Sequence, residues 1–340
     1  MGKARGTWLS DAERHLPAVA DLMRRVISDH GGAALGAIAG EHLATGGKRL
    51  RALLALAAGA AQGVAVEALV GWAAACELLH NATLVHDDLQ DGDLLRRGAP
   101  TIWARHGMAQ AINAGDLLFL APFLAVAEIP VAPAAKAALS QLVARRGATI
   151  IRGQAEELVM ASACDTRRER YVEVVAGKTS GLFELPVEGA AVLAGRDASA
   201  AAALAAAFRA LGVVFQIQDD VLDLFGDKGR DAPGGDVREG KVSALVVEHL
   251  GLHPEDRDWL RAILHKRRDD TSAADVEEVS RRFATGGALA AVCERIVRDA
   301  AAVAAVEALC RAPQLGEVAA ELVDRMLEPI RSILARAGAR

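Results

Sequence analysis

Aromatic side chains are scarce in this 340-residue chain, with 4 Trp, 7 Phe and 1 Tyr making up 4% of it. Strands favour aromatic and β-branched residues, whereas the Ala and Leu that dominate here favour helices. A sheet-based architecture is therefore excluded and an all-α fold expected. Cysteine is also sparse: Cys76, Cys164, Cys293 and Cys310 lie far apart with no CxxC between them. That excludes a disulfide framework or a zinc site and fits a reducing cytoplasm. Proline at 10 and glycine at 32 exclude collagen-like and Pro-rich chains. Neither sign of charge dominates, with 39 basic against 44 acidic residues and a pI near 6.0. The chain has no footprint of a general nucleic-acid binder, so any phosphate chemistry must come from local clusters. Disorder is excluded by the 52% hydrophobic content and the net charge of only −5. A long apolar run is missing too. The best stretch, Leu117–Ala127, contains Pro122 and stops at Glu128, short of the ~20 residues a bilayer needs. It reads as a buried core helix, and no transmembrane segment is expected. Residues 1–15 carry Lys3, Arg5, Asp11, Glu13 and Arg14 with no apolar centre, so no secretory signal is read there.

Helical periodicity recurs almost throughout. It predicts helices over Leu50–Ala61, Val64–His86, Asn113–Ala127, Ala134–Leu158, Arg167–Ala176, Ala198–Leu224, Val242–Leu250, Ala288–Leu309 and Glu317–Ala337. The breakers are Arg97-Gly98-Ala99-Pro100, Pro130–Pro133 and Gly226–Gly240, with Arg267–Ser272 as an exposed connection and residues 1–10 as a frayed leader. No strand alternation, repeat or Ser/Pro-rich linker stands out. The simplest organisation is one all-α domain over residues 1–340, an extended antiparallel bundle.

The pattern that carries chemistry is His86-Asp87-Asp88-Leu89-Gln90-Asp91, followed by Gly92-Asp93. On a helix Asp87 and Asp91 share a face and Asp88 flanks them. Like charges so placed repel, and at the end of an apolar helix they also oppose the macrodipole. A bound cation would offset both costs, and ligands that are all oxygen point to a hard ion such as Mg2+. Taken alone, the pattern also fits an acidic helix end in solvent. Gln216-Ile217-Gln218-Asp219-Asp220-Val221-Leu222-Asp223 repeats the spacing at the end of a second apolar helix. Two copies predict a shared metal site built from Asp87, Asp88, Asp91, Asp219, Asp220 and Asp223.

Cations accompany the acids. Gly46-Gly47-Lys48-Arg49-Leu50-Arg51 places Lys48 and Arg51 at a helix start, where backbone N–H groups attract anions. Arg96-Arg97-Gly98 follows the first acidic motif, Lys178-Thr179 follows Gly177, and Lys241 lies in Arg238-Glu239-Gly240-Lys241. Each alone would suit a solvated turn. Together with two carboxylate clusters they describe a pocket for a ligand with several phosphoryl groups. Upstream of Asp87, Trp72, Cys76, Leu79, Ala82 and Thr83 recur at helical spacing. Such a stripe is ordinarily core packing, but beside polar clusters it suggests an amphiphile with a diphosphate head and a hydrocarbon tail.

These motifs, in this order, resemble those of the trans-isoprenyl diphosphate synthases, the polyprenyl synthetase family. The resemblance runs from about Leu35 to the C-terminus and also takes in Leu79-His80, Ala99-Pro100-Thr101, Ala114-Gly115-Asp116, Gly153-Gln154, Leu182-Phe183 and Phe215. It implies antiparallel helices around a central cavity, usually in a homodimer, with the Asn113–Ala127 helix as a candidate contact. It implies that the two aspartate triplets hold Mg2+, three ions in all, on the diphosphate of an allylic substrate. Arg96, Lys178, Thr179, Gln216 and Lys241 would contact that substrate, with Gln216 and the backbone near Lys178-Thr179 stabilising an allylic cation. Lys48, Arg51, His80 and Arg97 would bind isopentenyl diphosphate. His86 would only orient the helix end.

Two departures from the family pattern stand out. The lysine usually found between the second acidic motif and Lys241 falls here on Asp231 or Ala232, with Lys228 or Arg230 as substitutes. The aspartate usual after Gly153-Gln154 is replaced by Glu156-Glu157. By the family's logic, bulky residues just before the first acidic motif stop the growing tail. Here those positions hold the small Ala82 and Thr83, so the expected product is geranylgeranyl diphosphate or longer, with Leu79, Cys76 or Trp72 as the floor. The alternatives are a farnesyl diphosphate synthase, a class I terpene cyclase, which would leave Lys48, Arg51 and Arg97 without a task, and a non-catalytic synthase subunit, a class that tends to lose its aspartates.

Overall fold

In the computed structural model, residues 8–226, 233–303 and 305–338 are described. The chain is helical nearly throughout, in agreement with the all-α expectation. Helices α1 (Trp8–Glu13), α2 (Leu16–Ala44), α3 (Leu50–Ala61) and α4 (Val66–Asp91) come first. A hairpin of β1 (Leu95–Arg96) and β2 (Ala99–Pro100) follows, then α5 (Ile102–His106), α6 (Met108–Glu128), α7 (Pro133–Ala163) and α8 (Arg168–Val175). A π-helical turn, Ala176–Ser180, joins α8 to α9 (Gly181–Leu193). Next come α10 (Ala198–Ala206), α11 (Arg209–Phe225), α12 (Gly235–Arg238), α13 (Ala244–Leu252), α14 (Arg257–Leu264), α15 (Ala273–Thr285) and α16 (Ala288–Val303). The chain closes with α17 (Glu307–Cys310), α18 (Pro313–Leu327) and α19 (Arg331–Arg336).

The helices gather into two compact units. One takes the described parts of Met1–Ala148 with Leu182–Phe208 and Val306–Leu322. The other takes Thr149–Gly181 with the described parts of Arg209–Ala305 and Val323–Arg340. In the first unit α4 is the central rod, packed by α2, α3 and α6. Its small residues and Trp72 are fully buried, and the Trp72 indole donates to the carbonyl of Pro186 at 3.0 Å. Close approach is built from glycine: a Cβ on Gly59 would lie 2.0 Å from Leu69, and one on Gly189 would lie 2.0 Å from Trp72. In the second unit α11 is central, packed by α16, α13 and the π turn. Its buried stripe of Leu211, Val214, Ile217, Val221 and Leu224 follows helical spacing.

Several sequence expectations are corrected. Residues 8–10 are not frayed: Trp8 opens α1, and its indole donates to Glu317 at 2.8 Å. Helix α2 escaped the periodicity reading because Gly31 and Gly32 interrupt it, and the helix kinks there, with Gly32 at φ 61°. Helix α4 runs past His86 and carries the whole first acidic motif in its last turns. The long helix expected over Ala198–Leu224 breaks at Ala207-Phe208, and the one over Ala288–Leu309 stops at Val303. By length and composition three helical stretches are long and apolar enough to cross a membrane, Val66–Asp91, Met108–Glu128 and Ala198–Phe225, the last interrupted at Ala207-Phe208, with 78%, 44% and 39% of their apolar windows buried. The apolar run Leu117–Ala127 lies inside a longer helix, which continues back to Met108 through Asp116.

Candidate active site

The first acidic motif is placed by a helix stop. Gly92, at φ 71°, caps α4 directly after Asp91, and the N–H groups of Gly92 and Asp93 both donate to the Asp88 carbonyl. Asp87 and Asp91 are half-buried, while Asp88 is turned inward at 2% exposure. The chain then reverses through the β1–β2 hairpin, whose two loop residues, Arg97 and Gly98, both have positive φ. That reversal folds Arg96 back onto Asp88, with Nε donating to Oδ1 at 2.6 Å. Burial raises the Asp88 carboxyl to about 6, although Arg96 opposes the rise. The other Asp88 oxygen is buried without a hydrogen-bond partner.

The same unit collects the cations. Arg97 donates to the carbonyl of Gly46, and its guanidinium lies so close to Gly47, at φ 121°, that a Cβ there would be 2.5 Å from it. The positive φ is what calls for the second glycine of Gly46-Gly47, since the flexible end of Arg97 could give way. Lys48 is exposed beside it. Arg51 is 6% exposed, and its guanidinium sits 4.9 Å from the centre of the Phe183 ring. His80 lies in the field of Arg51, Arg97 and Arg96; burial first, then those charges, hold it well below the usual imidazole range. The structure therefore brings Arg51, His80, Arg96 and Arg97 into one neighbourhood, with Lys48 at its edge.

Three further members were not singled out from the sequence. His42 is 4% exposed with Nε2 unpartnered, and burial, then Arg96, Arg97 and Arg49, lower it to about 3. Arg49 takes a left-handed backbone at φ 49° and donates to Leu43 O at 2.7 Å. Glu77, 3% exposed, lies 3.5 Å from Arg49 and accepts the N–H of Ala52 at 3.1 Å, capping the first turn of α3. Its signal was available: a carboxylate three residues before His80 in an otherwise apolar run. His86 sits where it was expected to act on structure alone. It stacks on Phe119 and fills the space above Gly115, where a Cβ would be 2.1 Å from Nε2. That accounts for Ala114-Gly115-Asp116.

The second unit holds the second acidic motif on α11. Asp219 is half-buried, and Asp220 and Asp223 are 4% exposed. Asp220 Oδ2 accepts from the Tyr171 hydroxyl and from Ala244 N, each at 2.7 Å, and Oδ1 accepts from Gln216 Nε2 at 3.0 Å. Asp223 Oδ2 accepts from Asp236 N at 3.0 Å and so ties down the segment beyond the undescribed residues 227–232. Lys228, Arg230, Asp231 and Ala232, the positions weighed for the loop lysine, lie outside the described residues. Thr179 Oγ1 donates to Gln216 Oε1 at 3.1 Å. Lys178 and Thr179 stand in the π turn, a rare helical form that marks functional sites. The turn is made possible by Gly153 on α7, where a Cβ would lie 2.2 Å from Lys178 N.

Glu156-Glu157 now has an account. Lys178 Nζ donates to Glu157 at 2.5 Å, and Arg170 pairs with Glu156. Lys241 likewise pairs with Glu239 at 2.6 Å. Arg96, Lys178 and Lys241 each therefore rest on an internal carboxylate. Among the described residues no three His, Cys, Asp or Glu side chains close on one point as a ready metal site. The donors still fit a hard divalent ion, since each motif offers carboxylate oxygens and no nitrogen or sulfur, and Asp88 keeps one buried oxygen unpartnered.

Helices throughout, aspartate-rich ends on α4 and α11, and a nest of arginines with neutral histidines define an isoprenoid synthase fold equipped for diphosphates. The chain belongs to the polyprenyl synthetase family, whose model matches residues 33–282. It is 36% identical over 250 residues to a short chain isoprenyl diphosphate synthase of Methanothermobacter thermautotrophicus, covering 72% of this chain and 76% of that one. To a geranylgeranyl diphosphate synthase of Mycobacterium tuberculosis it is 34% identical, covering 79% and 77%. The crystal structure of a polyprenyl synthase from Caulobacter crescentus complexed with calcium and isoprenyl diphosphate superposes with a TM-score of 0.83 at 30% identity, covering 96% of this chain and 98% of that one.

Proposed function

We propose that this protein is a prenyltransferase that joins isopentenyl diphosphate to an allylic diphosphate, head to tail and in trans, to give geranylgeranyl diphosphate or a longer product. The observation that carries the reading is the cation nest of the first unit. Lys48, Arg49, Arg51, Arg96 and Arg97 gather there, with Glu77 and Asp88 beside Arg49 and Arg96, and such a gathering of cations suits a diphosphate.

Asp87, Asp88, Asp91, Asp219, Asp220 and Asp223 are the residues that would hold Mg2+, which neutralises charge on the departing diphosphate. Lys48, Arg51 and Arg97 bind the diphosphate of isopentenyl diphosphate, and neutral His80 donates a hydrogen bond to it. Arg96, Lys178 and Lys241 hold the allylic diphosphate and stabilise its negative charge as the C–O bond breaks. The Gln216 side-chain oxygen and the backbone at Thr179 face the allylic carbon as it turns cationic. The double bond of isopentenyl diphosphate attacks that carbon, a C–C bond forms, and a proton leaves to the released diphosphate. Buried apolar side chains exclude water that would convert the cation to an alcohol.

Product length follows from α4. Ala82 is fully buried and small, and Leu79, Cys76 and Trp72 lie below it at 1% exposure or less. The Mycobacterium relative, named for geranylgeranyl diphosphate, supports the same length. A homodimer built on α6 is part of the proposal, supported by Met108, Ile112 and Leu120, which are 63%, 44% and 62% exposed on that apolar helix. Four free cysteines support a reducing cytoplasm as its setting.

One experiment tests the reading. The protein is incubated with Mg2+, labelled isopentenyl diphosphate and each allylic primer in turn, and products are separated by chromatography. Elongated prenyl diphosphates that vanish on chelation are expected. Cyclic hydrocarbons, or no incorporation of label, would overturn it.

A further inference from the structure

Tyr171 is the only tyrosine in the chain, and nothing in the reading above uses it. It lies on α8 at 2% exposure, and its hydroxyl donates to Asp220 Oδ2 at 2.7 Å. From there a chain of hydrogen bonds runs through the second unit. Ala244 N, the first residue of α13, donates to the same oxygen at 2.7 Å. Gln216 Nε2, one helical turn before Asp220, donates to the other oxygen at 3.0 Å. Gln216 Oε1 then accepts from Thr179 at 3.1 Å.

The chemistry of each link fixes the next. A carboxylate only accepts hydrogen bonds, whereas a glutamine amide has a donating end and an accepting end that can exchange by rotation. Asp220 therefore decides which end of Gln216 points where. With Nε2 held on Asp220, Oε1 is turned to Thr179. The opposite rotamer would set two acceptors against each other inside a buried site, where an unmet polar group costs most. Asp220 can impose this polarity only if it cannot swing on its own side-chain torsion. Two donors on Oδ2, one from α8 and one from the start of α13, pin it between separate elements.

We infer that Tyr171 is a positioning residue for prenyl transfer: by fixing Asp220 it holds Gln216 with its oxygen, the negative end of the amide dipole, at the place where positive charge develops. The inference rests on the proposed function, and the test separates the two. Tyr171→Phe removes one oxygen atom and keeps the ring. With the reading correct, kcat falls about tenfold while KM for both substrates and the Mg2+ requirement stay within about twofold. In a Gln216→Ala background the same substitution has no further effect on kcat, because its route is already cut.

A second measurement does not depend on Tyr171→Phe folding. Growth on fluorotyrosine labels position 171 alone, so fluorine NMR of the otherwise unaltered enzyme gives one resonance. That resonance is expected to shift on Gln216→Ala. An unchanged kcat in Tyr171→Phe, an equal loss repeated in the Gln216→Ala background, or a resonance that ignores Gln216→Ala would each overturn the inference. Absence of prenyl transfer in the wild type would instead overturn the proposed function.

Discussion

Asp87 and Asp91 in the first motif and Asp219 in the second are half-buried, while Asp88 and Asp220 are buried and bound to Arg96 and to Tyr171, Ala244 and Gln216. Asp87→Ala or Asp219→Ala is expected to abolish turnover, a loss of more than about a hundredfold, with the thermal midpoint nearly unchanged. Wild-type condensation in either variant would contradict the assignment. His42 offers a check on stability. Its folded pKa of about 3 lies below the 6.5 of a free imidazole, because burial and then Arg96, Arg97 and Arg49 disfavour the charged form. Between those values the unfolded chain holds the proton and the folded chain does not. Stability is therefore complete above the unfolded value and is lost as pH falls through the window, by up to about 1.4 kcal/mol per unit. His80 acts in the same direction. Urea unfolding of His42→Phe between pH 7 and 4 should show a slope shallower by about one proton than the wild type. Equal slopes would remove His42 from this role.

At the scale of elements, the sequence was most informative where period and chemistry coincide. Leu50–Ala61 was read with its observed bounds, and both acidic motifs were placed at the ends of apolar helices, where α4 and α11 put them. What was hidden depends on contacts distant in sequence. Glu77 and Arg49 look like ordinary charges until the fold sets them 3.5 Å apart. The tie from Tyr171 to Asp220 spans α8 and α11 and leaves no local signature. The π turn was equally illegible, since Ala176–Ser180 has the composition of a helix break and becomes a continuous turn only because Gly153 lets α7 approach. Gly153→Ala places a methyl 2.2 Å from Lys178 N, on backbone that cannot yield cheaply. A loss of about 2 kcal/mol in chemical unfolding and a rise in KM for the allylic substrate are expected. A variant as stable and active as wild type would show that the turn tolerates wider spacing.

For the molecule as a whole, composition identified the all-α class because alanine and leucine outweigh aromatics. It could not foresee the gathering of the helices into two compact units, since each unit draws on stretches far apart in the chain. Function at this scale means product length. Ala82 is fully buried on the helix that carries the first acidic motif. Ala82→Phe should shorten the main product, read by chromatography of the dephosphorylated alcohols. An unshortened product would move the length-setting wall to another helix.

Arg96, Lys178 and Lys241 already lean on Asp88, Glu157 and Glu239. On the proposed function, a diphosphate that binds any of these side chains would displace a resident anion instead of meeting bare charge. Recognition becomes a trade of counter-charges. Its dependence on ionic strength should accordingly be gentler than a tally of basic residues implies, while release of the liberated diphosphate is helped by carboxylates waiting to reclaim their cations.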